Sequence, residues 1–370
     1  MSAAFEIQMI AIVTAVACTL PGVFLVLRRK AMMSDAISHT VLLGIVIGFF
    51  IVADLNSPIL IVGAAAVGVL TVSLVALLER TRLVKEDAAI GLVFPAMFSI
   101  AVILISIYAR DIHLDTDVVL VGEIAFAPFD RFTPFGLDIG PRGLYVMGAV
   151  LLINLTFILI FYKELKLSTF DAGLAASLGF MPGLIHYALM AVVSVTIVGA
   201  FEIVGSVLVI ALIVIPPVTA YLMTDRLSSM LLLSAAAGAA SAISGFWLAS
   251  LLDVSITGAM AVTAGVLFGV TFLFAPQRGL VAGIRRQRRQ RWEFAITMLA
   301  GHLLNHEHTP EAEFETEMAH LNEHLRWSPE FADQVIRRSR QAGIVRPRGN
   351  RLELTESGRR RASQEFLRQT

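Results

Sequence analysis

Nine apolar runs of near-membrane length recur between residues 7 and 275, at 7–27, 36–53, 59–78, 88–108, 143–161, 184–200, 203–223, 230–251 and 257–275. A helix needs about 20 such residues to cross about 30 Å of hydrocarbon. Hydrophobic residues make up 56% of the chain and the mean hydropathy is +0.77, values outside the range of ordinary soluble domains. The sixth and seventh runs almost fuse around Phe201-Glu202, so eight crossings plus a re-entrant piece is the alternative to nine. The expected fold is an all-α polytopic membrane protein with about eight or nine transmembrane helices.

The net charge is zero, yet the charges are unevenly placed. Residues 1–276 carry 12 Lys/Arg and 17 Asp/Glu, whereas residues 277–370 carry 17 Arg, no Lys and 12 Asp/Glu. This shift predicts a transmembrane domain over 1–276, a basic linker over 277–290 and a further domain over 291–370. Basic residues set sidedness. Arg28-Arg29-Lys30, then Arg80, Arg82 and Lys85, then Lys163 and Lys166, then Arg226 fall in alternate connections. These connections are cytoplasmic if the N-terminus is outside, which leaves Glu123 in a long acidic outer segment, 109–142. The single cysteine, Cys18, excludes an intrachain disulfide and a cysteine-rich metal site.

Within this apolar background stands a polar island, Ser34-Asp35-Ala36-Ile37-Ser38-His39. Ionisable residues in a membrane segment are costly and mark functional positions. Asp35 and His39 are four apart, so one helix face carries both. Oxygen and nitrogen donors without a thiolate suit manganese, iron(II) or zinc and do not select among them. The competing arrangement pairs Asp35 with Arg28 or Lys30. Glu202, between two apolar runs, and Glu123, in the outer segment, are further carboxylates that can line a cation path. Pro216-Pro217 removes two backbone donors inside one run and predicts a kink.

The segment beyond residue 290 reads as soluble structure. Residues 291–305 and 311–325 are amphipathic, Ser328-Pro329 opens a third helix, Gly343 closes it, and 344–354 alternates about Arg348-Gly349-Asn350 as a hairpin. Three helices followed by a two-stranded wing is the winged-helix order, a small α+β domain. It holds five of the eight histidines; His302/His306 and His320/His324 are i, i+4 pairs, the second beside Glu323, and helical pairs of this kind can chelate a metal. Arginines at 337, 338, 340, 346, 348 and 351 make nucleic acid a lesser expectation for a membrane-tethered domain.

Three motifs resemble those of one family. Residues 27–44, which include the polar island, resemble the second-span signature of the permease subunits of zinc, manganese and iron ATP-binding-cassette importers. Val204-Gly205-Ser206 through Ile215-Pro216-Pro217 is similar to that family's proline-bearing span. Residues 169–179, rich in small residues, resemble its coupling helix. The stretch 343–359 resembles the end of iron- and manganese-dependent repressors. Leu43 departs from the family's more frequent proline, and Glu202 and Glu123 from its more frequent uncharged residues.

The resemblance implies a permease subunit of an ATP-driven importer of divalent metal, in a bacterial inner membrane with the C-terminal domain cytoplasmic. It also implies alternating access, with Asp171, Ala175, Ala176 and Gly179 seating on an ATPase. Implied partners are that ATPase, a second permease (identical or homologous), an extracytoplasmic metal-binding protein and the bilayer; no cofactor is permanently bound. None of the four lysines follows a glycine, so no phosphate-binding loop is present and ATP hydrolysis would fall to a separate chain. An ATP-independent metal carrier or channel is the alternative, and it would not need the 169–179 helix.

Overall fold

The apolar runs fold as helices because a backbone in hydrocarbon must satisfy its own hydrogen bonds. In a computed structural model, residues 2–53, 57–108, 124–133, 138–307, 325, 327–349 and 351–366 are described. The chain forms two compact units, Met1–Gly279 and Leu280–Thr370. The first comprises α1 (Ala3–Leu27), α2 (Ala31–Val52), α3 (Pro58–Arg80), α4 (Glu86–Tyr108), a 3-10 turn (Ile124–Phe129), α5 (Arg142–Ile160), α6 (Tyr162–Phe170), α7 (Ala172–Ser177), α8 (Pro182–Met223), α9 (Leu227–Leu252) and α10 (Ile256–Phe274). Among the described residues, eight helices are long and apolar enough to cross a membrane.

Helix α1 is the centre of this unit: it touches α5, α8, α9 and the 3-10 turn, and Ile10, Val23 and Phe24 are fully buried. Large apolar side chains such as Leu77, Leu92, Ile103, Leu159, Leu232 and Val266 point outward from the other helices. An exposed apolar surface of this extent belongs against lipid or a partner.

Helix α8 accounts for the difference between nine apolar runs and eight helices. Its 42 residues contain both the sixth and seventh runs, interrupted by non-helical geometry at Gly205 (φ 75°, ψ 163°). That conformation is essentially open only to glycine. Contacts with α1 show what the break does. His186 lies by Arg28, Thr196 and Ala17 share the amide of Asn154, and both Ile203 and Ile10 face Gly143. Up to Ile203, α8 therefore runs against α1. Ile213 and Pro217 then lie beside Gly22, so the second limb runs with α1. The chain reverses at Gly205, and the nine runs survive as seven separate helices and two limbs of the eighth.

The expected break at Pro216-Pro217 is not where α8 departs from helical geometry; Gly205 is. Each proline still leaves the carbonyl four residues earlier without a helical donor. For Pro217 that carbonyl belongs to Ile213, and a methyl group on Gly22 would overlap it. Glycine lets α1 close over this carbonyl. Inside α1, Pro21 likewise frees the Ala17 carbonyl, which accepts from Asn154 Nδ2 at 2.8 Å.

The second unit holds α11 (Leu280–His306), α12 (Pro329–Gln341), the antiparallel strands β1 (Val345–Arg348) and β2 (Arg351–Leu354), and α13 (Glu356–Phe366). From Leu280 on, the segment read as a basic linker is helical and continuous with the following turns. Pro329 opens α12 after Ser328, at the expected place. Residues 311–324, where a further helix is expected from the sequence, lie outside the described residues. Leu299, Leu303, Val335, Val345 and Leu352 pack into this unit's own core. Trp292 stacks on Phe331, and the Arg338 guanidinium lies 4.2 Å above the Trp292 ring.

Candidate functional site

The serines of the polar island are satisfied within their own helix. Ser34 Oγ donates to the Ala31 carbonyl at 2.6 Å and Ser38 Oγ to the Asp35 carbonyl at 2.7 Å. Asp35 and His39 use their side chains otherwise: Asp35 Oδ1 lies 3.5 Å from His39 Nε2. The imidazole packs against Phe94 and Phe98 of α4, with ring centroids 5.4 and 6.0 Å away. The two side chains are 43% and 30% exposed, so this chain closes off neither.

Neither nearby base neutralises Asp35. Lys30 pairs with Glu86 at 3.0 Å and Glu79 at 3.7 Å, while Arg28 turns to α6 and α8. The arrangement sets a carboxylate beside an imidazole, with a wall of aromatic carbon behind the ring. Among the described residues no third aspartate, glutamate, histidine or cysteine joins them. A divalent ion bound here would complete its shell with water or with donors from elsewhere.

Glu202 is placed apart. It lines a cleft of about 200 Å³ with Phe126, Ala127, Asp130, Arg142 and Gly143, and neither Asp35 nor His39 reaches that cleft. Within that lining Arg142 pairs with Asp130 at 3.9 Å; the neighbouring Arg131 pairs with the half-exposed Asp138 and with the buried Glu6, at 3.4 and 3.2 Å. Glu123, His320, Glu323 and His324 lie outside the described residues. His302 and His306 stand one above the other on α11, their ring centroids 4.7 Å apart.

Of the segment read as a coupling helix, 169–179, residues 169–170 end α6, Asp171 is extended, and Ala172–Ser177 form α7. Asp171 caps α7, its carboxylate accepting from the Leu174 amide at 2.9 Å. Gly179 ends the turn with a positive φ of 85°. Ala175 faces inward, whereas Ala176, Leu178 and the flanking Phe170 and Met181 are exposed. A short helix with a small, apolar outer face suits insertion into a groove on another protein. Charge alternation along the sequence has a spatial counterpart: Arg28, Lys30, Glu79, Glu86, Ser168, Thr169 and His186 gather at the same end of the bundle. Sequence reasoning missed the contacts with Ser168, Thr169 and His186 of Arg28, whose only signal was its place in a basic triplet beside the island.

Residues 2–275 match the ABC 3 transport family. The chain belongs to this family. The zinc transport system membrane protein TroD of Treponema pallidum is 50% identical over 353 residues, covering 95% of this chain and 96% of its own. The manganese transport system membrane protein MntD of Bacillus subtilis is 48% identical over 279 residues, 75% of this chain and 94% of its own. Among solved structures, a chain of PsaBC from Streptococcus pneumoniae in complex with Fab is 28% identical with a TM-score of 0.62, covering 74% of this chain and 92% of that one. The ABC-3 match ends just short of the boundary at Gly279, while the treponemal similarity is long enough to extend into the second unit. The multi-pass bundle described above is thus the ABC-3 membrane subunit.

Proposed function

We infer that the chain is the membrane-spanning permease subunit of an ATP-driven importer of divalent transition-metal ions: manganese, zinc or iron. The observation that carries this reading is membership of the ABC-3 family over 2–275, with relatives near half identity named for zinc and manganese transport. The chain has no phosphate-binding loop, so ATP is hydrolysed by a separate ATPase, on which residues Asp171, Ala175, Ala176 and Gly179 seat. A second permease, identical or homologous, completes the path, and an extracytoplasmic metal-binding protein loads it. The membrane is the bacterial inner membrane, and the arginine-rich second unit is cytoplasmic by the charge rule.

In this reading Asp35 and His39 contact the ion in transit. The carboxylate supplies charge and the neutral imidazole supplies a nitrogen donor; a two-donor site from this chain binds weakly enough to release its ion. Closure of the ATPase pair moves α7 and alternates access to the pair on α2. Glu202 and Glu123 add negative charge towards the outer mouth. His302, His306, His320, Glu323 and His324 offer a second metal contact through which cytoplasmic metal tunes transport.

The test is reconstitution of the chain with its ATPase in proteoliposomes, followed by uptake of radiolabelled manganese, zinc and iron(II). Uptake that requires hydrolysable ATP is expected. Equal uptake without the ATPase would establish the carrier or channel instead.

A further inference from the structure

Arg28 caps α1 and is held by three uncharged partners. Its Nε–H donates to Thr169 Oγ1 at 3.1 Å, one η nitrogen donates to Ser168 Oγ at 2.8 Å, and the other meets His186 Nδ1 at 3.4 Å. For Nδ1 to accept, the imidazole must be neutral with its proton on Nε2. Thr169 and Ser168 end α6 just before Asp171, and His186 lies in the second turn of α8, seven residues after Gly179. One guanidinium therefore bridges both ends of the 171–179 segment. Burial pushes the Arg28 guanidinium below its ordinary pKa.

The other side of this joint is the start of α2. Arg29 takes a left-handed conformation (φ 58°), and the amides of Arg29 and Lys30 donate to the Val26 and Leu25 carbonyls at 3.0 and 2.9 Å. The corner from α1 into α2 is thus three residues long, Arg28 to Lys30, and hydrogen-bonded shut. Lys30 fastens it to the α3–α4 corner through Glu79 and Glu86. Asp35 follows five residues after Lys30.

We propose that Arg28 is a positioning residue of the transport cycle, which passes movement of the 171–179 segment to α2 and hence to the Asp35/His39 pair. This rests on the reading of 171–179 as the ATPase-contacting segment. The guanidinium's planar fork holds three acceptors in fixed directions, so a displacement of α6 and α8 drags the α1–α2 corner with it. A lysine keeps the charge and loses the fork.

The experiment uses the complete transporter in proteoliposomes and reads metal ions transported per ATP hydrolysed. Arg28→Ala is expected to assemble with the ATPase and hydrolyse ATP within about twofold of wild type, while transport per ATP falls at least about tenfold. Arg28→Lys is expected to recover only part of the loss. The double variant Ser168→Ala/Thr169→Val removes acceptors and leaves the arginine, and is expected to fall in the same direction. Transport per ATP equal to wild type in that double variant overturns the proposal, including when Arg28→Ala fails to assemble. In the double variant, a parallel fall of hydrolysis and transport with loss of assembled complex also overturns it, because a structural role predicts that. A wild-type chain that moves metal without ATP overturns the importer reading and this inference with it; coupled wild type with equally coupled variants overturns this inference alone.

Discussion

The Asn154 side-chain amide donates to the Ala17 carbonyl at 2.8 Å, and this is the carbonyl that Pro21 deprives of its helical donor. Asn154 also bonds Thr196 at 3.0 Å, so one buried polar side chain ties α5, α1 and the first limb of α8. Lipid offers no substitute donor, and an unmet buried carbonyl costs about 1–3 kcal/mol.

Asn154→Leu is expected to destabilise the unit by about 1–2 kcal/mol, towards the upper end of what interhelical hydrogen bonds contribute in membranes. Thermal unfolding in detergent reads this as a lowered midpoint. Adding Pro21→Ala returns an N–H to the Ala17 carbonyl and should recover part of the loss; no recovery would show that Asn154 acts through packing alone.

Gly205→Ala places a side chain at φ 75° and ψ 163°, a conformation costing a non-glycine residue about 1–3 kcal/mol. The expected result is a lower yield of folded protein and a lower unfolding midpoint. Gly148→Ala, in α5 with open space around its Cα, is the control and should be neutral or slightly stabilising. Equal behaviour of the two variants would show that the reversal in α8 does not depend on glycine.

Asp35→Asn and His39→Gln keep the size and polarity of each side chain while removing the charge or the imidazole donor. Each is expected to lower ATP-driven metal uptake at least about tenfold, a change of about 1.4 kcal/mol, with ATPase association retained. Radiometal uptake in proteoliposomes measures the first and co-purification the second. Wild-type uptake in both variants would remove the pair from the path.

In the second unit, the hydrogen bond from Arg348 to Glu353 at 2.7 Å holds the Glu353 carboxyl below the usual glutamate range. A depressed folded-state pKa contributes stability above the unfolded value of about 4.3 and loses it as the pH falls through the folded value. Arg348→Ala should therefore bring the Glu353 titration back up towards its ordinary range and weaken the acid dependence of the β1–β2 pairing. Carboxyl NMR titration of the full chain in detergent checks the direction; an unchanged Glu353 titration would assign the shift to Arg346 instead.

Much of the fold follows from local pattern. The apolar runs, the charges in alternate connections, the helix that opens at Pro329 and the hairpin about Gly349 each depend on neighbours a few residues away, and periodicity and turn residues record such relations directly. The i, i+4 spacing of Asp35 and His39 likewise sets them one turn apart on a common helix face. Asp171, ahead of a run of small residues, marks the start of a short helix for the same local reason.

What the tertiary structure alone decided involves partners far apart in sequence. Arg28 finds Ser168, Thr169 and His186 across 140 residues or more, and by doing so leaves Asp35 without the neutralising partner that its sequence neighbours offered. Glu202 shares apolar surroundings with the island along the chain, yet packing puts it in a cleft that neither Asp35 nor His39 lines. The reversal in α8 lies at Gly205 and not at the prolines, because a proline's freed carbonyl can be covered by a neighbouring helix, whereas a positive φ demands glycine. Sequence pattern determined which segments cross and where their charges lie; only the packed bundle determined which polar groups engage one another across helices.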